Sequence, residues 1–357
     1  MEVQIQKVMG MGVFAYMSYA AVERDGKPGL AIYVQRSRSR PPTLQPAVSL
    51  DGSDYLNTRF AIATRITVSD LGGFRSEWRN DLVFGSAYGF RSEYFRPFTP
   101  LSNWSIVPHG FAETRPLDFY RRSRVVALDR ERKAGGGVDL GYSFSNTGEL
   151  RLGYEAAEVT TTFRTGDPEA FPILTGRYGA THLSYAYDHV DDEIVPHTGL
   201  LAQGNLRWVD SNPGSAEHLP VLNAKGTFFR PLGTRNTIFT SLEGGTIFNF
   251  HNTGLPFFFL GGPQRLSAYG ANELFGNQYY LGRLGLLKQV NTSTPFTDGR
   301  VYLFADYEVA KMYGVRGSTA LPMDVNAGVL VRTLVGPLFL GGSVGDAGHR
   351  KWYFQLG

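Results

Sequence analysis

The sequence of 357 residues contains no cysteine, which excludes a disulfide scaffold, a thiolate zinc centre, an iron–sulfur cluster and a cysteine nucleophile. Charge is scarce, at 19% of residues, and lysine is scarcer still, with 7 Lys against 28 Arg. Arginine suits cations that sit partly enclosed and donate hydrogen bonds in a fixed fork, so the bias hints at a polar interior. No apolar run approaches the ~18–20 residues that a membrane-crossing helix needs, which excludes helical spans. A hydrophobic content of 42% with 13% aromatics is too rich for a disordered chain. The opening MEVQIQKVMGMG lacks the charged start, apolar core and small-residue cleavage site of a secretory signal. The expectation from that is either a cytoplasmic protein or a chain without its true beginning.

What is present is alternation. Phe60, Ile62, Thr64, Ile66 and Val68 interleave with Arg59, Ala61, Ala63, Arg65 and Thr67, which puts opposite chemistries on the two faces of one strand. Trp78, Leu82 and Phe84 oppose Arg75, Glu77, Arg79 and Asp81. Leu200, Ala202, Gly204, Leu206 and Trp208 oppose Gln203, Asn205 and Arg207, and Val301, Leu303, Ala305, Tyr307 and Val309 oppose Tyr302, Asp306 and Glu308. Turn signals divide the chain into about sixteen strands, near 43–50, 56–69, 74–85, 87–97, 103–116, 124–145, 149–163, 177–189, 198–210, 219–231, 236–250, 278–290, 299–312, 323–334, 337–345 and 349–357. An even number lets an antiparallel sheet close on itself.

Alternation alone also fits a soluble sheet with one wet face. Strand length decides between the two. The segments run to about ten to fourteen residues, against a soluble mode of about 5 to 6 and the ~9–11 that a tilted strand needs to cross a bilayer. Aromatics near strand ends, such as Tyr55, Trp78, Tyr94, Trp104, Tyr187, Trp208, Tyr280 and Trp352, fit interfacial girdles. Short connections (70–73, 146–148, 233–236) alternate with longer ones (164–176, 211–218, 251–277), as periplasmic turns alternate with extracellular loops. The predicted fold is all-β: a transmembrane antiparallel up-and-down barrel. Ahead of it, Val13–Val22 and Leu30–Gln35 flank a turn at 23–28 and predict a hairpin, preceded by a helix end near Gly10 and Gly12.

Several stretches carry a resemblance. FFFLGGPQRLSAYGANELFGNQYYLGRL, within 251–289, is similar to the long sixth extracellular loop of the BamA-like and TamA-like outer-membrane transporters. In that loop a glycine pair, here Gly261-Gly262, precedes a V-R-G-F/Y tetrapeptide, here Leu266-Ser267-Ala268-Tyr269. Ser267 stands where arginine is usual and Ala268 where glycine is. DHVDDEIVPHTG (188–199) resembles the family's D-x(n)-P-x-x-G turn, Phe304-Ala305-Asp306 its F-x-D strand, Leu334–Leu338 its G-P turn, and Lys351–Gly357 its closing strand. Glu77-Trp78-Arg79, Phe95–Phe98 and the serine-bearing tetrapeptide resemble the barrel of bacterial patatin-like phospholipases, in which a lipase passenger and one POTRA repeat precede sixteen strands. Residues 1–40 then correspond to the end of a POTRA repeat and a linker, and 41–357 to the barrel, with both ends truncated.

The resemblance implies an outer-membrane anchor or translocator for a passenger in cis. The alternatives are an assembly or two-partner-secretion transporter and a passive pore. The implied partners are outer-membrane lipid and the barrel-assembly machinery, with no cofactor, metal or nucleic acid. Gly85-Ser86-Ala87-Tyr88-Gly89 has its serine one place too early for a nucleophile elbow, so no catalysis is expected. In relatives the loop arginine pairs with the acid of the F-x-D strand and fixes the loop as a plug. Here Ser267 or Arg265 is expected to contact Asp306, with Arg283 as a substitute and Glu308 on the same lumen face as Phe304 and Asp306. Asp188, His189, Asp191, Asp192 and His197 are read as a solvated turn rather than a metal site, Arg36–Arg40 as a linker, and Gly135–Gly137 and Gly341-Gly342 as kinks.

Overall fold

The computed structural model describes residues 14–24, 26–36, 41–51, 59–73, 75–121, 124–144, 147–169, 173–192, 194–213, 218–249, 258–291, 300–313, 321–333 and 336–356. The expected helix end near Gly10, the linker core 37–40, Leu334-Val335 and loop residues 251–257 lie outside these.

β1 (Phe14–Arg24) and β2 (Lys27–Arg36) pair only with each other, antiparallel, from Phe14↔Arg36 to Arg24↔Lys27. The next eleven strands run in order: β3 (Thr43–Asp51), β4 (Arg59–Ser69), β5 (Glu77–Gly85), β6 (Tyr88–Pro97), β7 (Trp104–Arg121), β8 (Arg124–Phe144), β9 (Gly148–Gly166), β10 (Thr175–Val190), β11 (Gly199–Ser211), β12 (Leu219–Leu232) and β13 (Asn236–Thr246). Within the following connection β14 (Phe258–Leu260) pairs with β15 (Leu274–Gly276) as a small hairpin. β16 (Gln278–Asn291), β17 (Arg300–Tyr313), β18 (Met323–Thr333), β19 (Gly336–Gly345) and β20 (Arg350–Leu356) complete the chain. β3 to β13 and β16 to β20 form one closed antiparallel barrel of sixteen strands, as the sequence predicts.

Each strand sorts its residues by chemistry. Along β17, Tyr302, Phe304, Asp306, Glu308, Ala310 and Met312 are buried inward while Leu303 and Tyr307 are exposed outward. Phe60, Ile62, Phe84, Trp104, Trp208 and Trp352 are likewise exposed on the outer face. The inner wall of β4–β10 is an ion-pair lattice. Arg65 pairs with Asp81 (2.6 Å), Arg79 and Arg151 share Glu93 (3.1 and 2.9 Å), Lys133 meets Glu155 (2.6 Å) and His182 meets Asp139 (3.0 Å).

The structure departs from the sequence reading at Arg75 and refines it at two other places. Arg75 is not in a strand. It sits at φ 60° in a turn closed by Asp70 N–H to Ser76 O (2.7 Å) and Ser76 N–H to Gly73 O (3.1 Å), so alternation overran the start of β5. The three short and three long connections named from the sequence do fall on opposite rims, but the rule does not extend to every connection. β5 and β6 are joined by two residues, 86–87, on the same rim as the 247–277 loop, and β7 and β8 on that rim are also separated by only two positions, there because β7, β8 and β9 run 18, 21 and 19 residues and carry the chain outward as paired ribbon. Gly341, read as a kink, has a spatial reason to be glycine. A Cβ there would lie 2.8 Å from the Tyr353 ring and 3.0 Å from Phe304, so glycine leaves room for these two rings.

Among the described residues, β20 meets β3 through two residue pairs, Gln355↔Asp51 and Leu356↔Leu50. The remaining junctions are longer, the shortest being seven pairs at β19–β20 and β5–β6.

Candidate functional site in the barrel lumen

The 247–277 connection turns inward and docks on β16–β18. Glycine starts the fold. Gly261 has φ 117°, and a Cβ on it would fall 2.0 Å from the Gly270 carbonyl, so only glycine lets the loop's two arms close. Gly261 N–H then donates to Arg265 O (2.9 Å), and Gly262 N–H to Tyr269 O (3.1 Å). The tip so formed drives Leu266, Ala268 and Tyr269 into an apolar cluster with Leu260, Ile247, Tyr279, Ala310 and Met312.

Backbone donors fix the tip to the wall. Ser267 N–H donates to Glu308 Oε2 (2.8 Å), as does its hydroxyl (3.1 Å), and Ala268 N–H donates to Asp324 Oδ2 (2.7 Å). Arg283, across from Glu308 in register, donates from Nη2 to Asp306 (2.7 Å) and stands 3.3 Å from Glu308. Asn326 donates to Asp306 (2.7 Å) and Asp324 (3.3 Å). Asp306, Glu308, Asp324 and Asn326 are all nearly inaccessible to solvent. Charged acceptors for neutral N–H donors give the stronger class of hydrogen bond, and burial removes competing water.

The expected contact of Ser267 or Arg265 with Asp306 is therefore wrong in its partners. Ser267 reaches Glu308, Asp306 is filled by Arg283 and Asn326, and Arg265 turns aside to Glu243 (2.6 Å), which also accepts from the Tyr279 hydroxyl (2.7 Å). A serine side chain is too short to extend past the acid nearest the loop, so the cation comes from the wall through Arg283. Phe304 lies below this layer, edge-on to Phe339 at 6.0 Å. Residues 261–269, 283, 304, 306 and 308 are thus brought together or placed in adjacent layers. Asp324, Asn326, Glu243, Asp346 and His349 were not singled out from the sequence. The in-phase acids and amides of 323–326 were a signal, but using it requires the β17–β18 register, Asp306↔Asn326 and Glu308↔Asp324.

The 191–198 turn closes the opposite end of the lumen; it is solvated at Asp191 and Thr198, as the sequence suggests, but buries Val195. Asp191 accepts from His197 N–H (2.8 Å) and Thr198 N–H (2.9 Å); Asp192 accepts from Ile194 N–H (2.9 Å) and Val195 N–H (3.1 Å) and pairs with Arg332. The carboxylates invert the backbone, and Val195, 1% exposed, packs with Tyr302, Phe304, Leu330 and Tyr353. Between this turn and the loop lies a cavity of about 530 Å³, lined by Val195, Phe229, Phe239 and Gln264 among others. No three His, Asp or Glu side chains converge as metal ligands among the described residues.

Burial of Asp192 opposes its ionisation, but the two backbone donors and Arg332 outweigh it and hold the carboxyl below its ordinary value. A group depressed in the folded state contributes stability above its unfolded pKa of about 4 and loses it as pH falls toward the folded value. Thermal stability of the purified barrel is expected to drop between about pH 4 and lower values, with a smaller drop in Asp192→Asn. An identical acid profile in the variant would show that the turn contributes nothing to it.

The Omp85 superfamily domain matches residues 67–330. The chain belongs to the Omp85 superfamily. Among solved structures it is similar to BamA from Haemophilus ducreyi lacking POTRA domains 1–3, with TM-score 0.70 and 12% identity over 99% of this chain and 77% of that one. It is also similar to CdiB from Acinetobacter baumannii, with TM-score 0.64 and 9% identity over 98% of this chain and 66% of that one. CdiB from Escherichia coli gives TM-score 0.62 and 12% identity, over 96% and 66%. The chain thus spans slightly under two thirds of either CdiB. At such identities the likeness is one of fold. No curated protein matches the sequence. The outward apolar face, the closed ladder and the family place this Omp85 barrel in the bacterial outer membrane.

Proposed function

We propose that this Omp85 barrel handles polypeptide at the outer membrane, exporting it or assembling it there, and is not a pore for small solutes. The docked loop carries the reading. A diffusion pore leaves an aqueous bore, whereas here a 31-residue connection (247–277) is bonded by its backbone into buried carboxylates of the wall. The likeness of fold to BamA and CdiB supports a transporter of this kind. A second reading is favoured by Leu266-Ser267-Ala268-Tyr269, in which the fixing cation has moved from the loop to Arg283. In it the barrel anchors, and helps export, the passenger of a patatin-like phospholipase-type secreted protein, with no catalysis in this chain.

A folded reporter joined ahead of the chain in a bacterium with an outer membrane separates these. Under the passenger reading it becomes protease-accessible at the cell surface or stays membrane-bound in the periplasm. Under the assembly reading, the purified barrel in proteoliposomes accelerates insertion of a second, unfolded barrel. Steady conduction with the loop intact, together with failure of both assays, would leave a pore as the better account.

A further inference from the structure

On the side of the barrel away from β16–β18, the inner faces of β6 to β11 enclose a second cavity of about 300 Å³, and its lining is polar or charged apart from Ala180. Side chains of β7 and β8 lie along the wall there because glycine faces them. A Cβ on Gly137 would stand 2.8 Å from His109 Nε2, and one on Gly153 would run into Asp139 Oδ1. The space above them stays open, with Arg91 exposed at its mouth.

The acids of this cavity already have partners. Glu93 takes Arg151 (2.9 Å) and Arg79 (3.1 Å), Glu155 takes Lys133 (2.6 Å), and Asp139 faces His182 Nε2 at 3.0 Å. Arg207 differs. Among the described residues its guanidinium has neither an ion pair nor a hydrogen bond, although its Nε is sealed from solvent. A buried cation without compensation is a costly state in a wall where every neighbouring charge is matched. Two more groups beside it are unspent among the described residues: the Asn205 side chain, whose Oδ1 is also sealed and unpartnered, and the Ser184 hydroxyl. Register brings these together, since β10 and β11 pair His182 with Arg207 and Ser184 with Asn205.

The chemistry on offer is one fixed fork of N–H donors carrying a single positive charge, with an amide and a hydroxyl alongside. That set complements a carboxylate, whose two oxygens accept from the fork. The surrounding acids limit the charge of the guest. A dianion such as phosphate would be repelled by Glu93, Asp139 and Glu155 in the same space, whereas one negative charge is balanced by Arg207 alone.

We propose that Arg207, Asn205 and Ser184 form a binding site for a single carboxylate group on the lumen wall. Two sources carry that chemistry, a free small monocarboxylic acid and an acidic side chain of a polypeptide in the lumen. The inference is independent of what the barrel transports, because binding is read on the purified protein.

The test titrates the whole chain, in uncharged detergent micelles, with butyrate and with its neutral isostere butyramide, followed by saturation-transfer NMR. Butyrate is expected to bind with a Kd of about 1 mM and butyramide not measurably. Arg207→Gln is expected to weaken butyrate by about tenfold or more, and Arg207→Lys, which keeps the charge without the fork, by less. Because Arg207 has no partner to abandon, Arg207→Gln is expected to melt no lower than the parent, unlike a cation that holds the wall together. If Arg207→Gln does not give a heat-modifiable folded band, Asn205→Asp is read instead: it keeps the shape, supplies the missing negative charge from the wall and is expected to abolish butyrate binding. A capped alanine peptide bearing one glutamate separates the two sources. Binding tighter than that of butyrate assigns the site to polypeptide, and equal or weaker binding to a free acid. The proposal is overturned if butyrate binds Arg207→Gln or Asn205→Asp as it binds the parent, if butyramide binds as well as butyrate, or if inorganic phosphate binds more tightly than butyrate.

Discussion

An Arg283→Ala barrel is expected to lose its docked loop and to unfold at a lower temperature than the parent. Arg283 is the sole cation in contact with Asp306 and Glu308 among the described residues, and both carboxylates are essentially sealed from solvent. Removing one partner of a buried ion pair costs about 3–5 kcal/mol, because the surviving charge has lost its compensation. Here two acids lose one partner, and the relief open to them is hydration by water entering the lumen. That relief requires the loop to move, since Ser267 and Ala268 sit on Glu308 and Asp324. The outcome is therefore double: a lower transition in a heat-modifiability gel and a raised conductance. Arg283→Lys retains a point charge without the fork, so an intermediate phenotype is expected. Arg283→Ala with parental melting and a closed lumen would mean that the wall cation does not organise the plug.

Deleting residues 255–275 is expected to convert a weakly conducting barrel into a steady, open channel. The sixteen-stranded cylinder does not need the loop for its ladder, since β13 pairs directly with β16 over eleven residues from Asn236↔Lys288 to Thr246↔Gln278. A barrel of this size leaves an aqueous bore unless something fills it. In this protein the loop fills it from one rim, while the 191–198 turn narrows the other end. Planar-bilayer recordings check the outcome, with Arg283→Ala as a milder comparison. If the deletion folds yet conducts no better than the parent, the turn and the charged wall, and not the loop, are what block passage.

Much of the fold was legible from period two. Phe60, Ile62 and Phe84 outside and Arg65, Arg79 and Asp81 inside follow from side-chain alternation alone, because each strand separates lipid from lumen and no other element interrupts the pattern. Each of the sixteen barrel strands overlaps a segment read from the sequence, with ends displaced by up to five residues. Misplacements occur where local chemistry does not distinguish a paired residue from one just beyond pairing. Arg75 continues the alternation but belongs to a turn. The strand read at 124–145 already spans β8, but the far ends of β7 and β9 were read short, because strand continuing beyond the membrane uses the same residue types as strand within it.

The site was legible in part. The glycine pair and the tetrapeptide mark the loop that docks, and Asp306, Glu308 and Arg283 mark the wall that receives it. Which acid meets which donor was not, because reach and register decide it: Ser267 stops at Glu308, and Arg283 comes from a neighbouring strand to fill Asp306. The sequence also read the 191–198 turn by its polarity, whereas Asp191 and Asp192 spend their carboxylates on the turn's own backbone and send Val195 inward.

What the sequence by itself determined is the number of strands and the two faces of each, since these depend on local period, while the loop that enters the lumen was legible only through the resemblance carried by Gly261-Gly262 and Leu266–Tyr269. Only the tertiary structure decided that Ser267 rests on Glu308, that Arg283 supplies the charge, and that Tyr269 stacks on His349, 80 positions away in the sequence. Those contacts depend on closure of the cylinder, which sets neighbours by register and shear rather than by order along the chain.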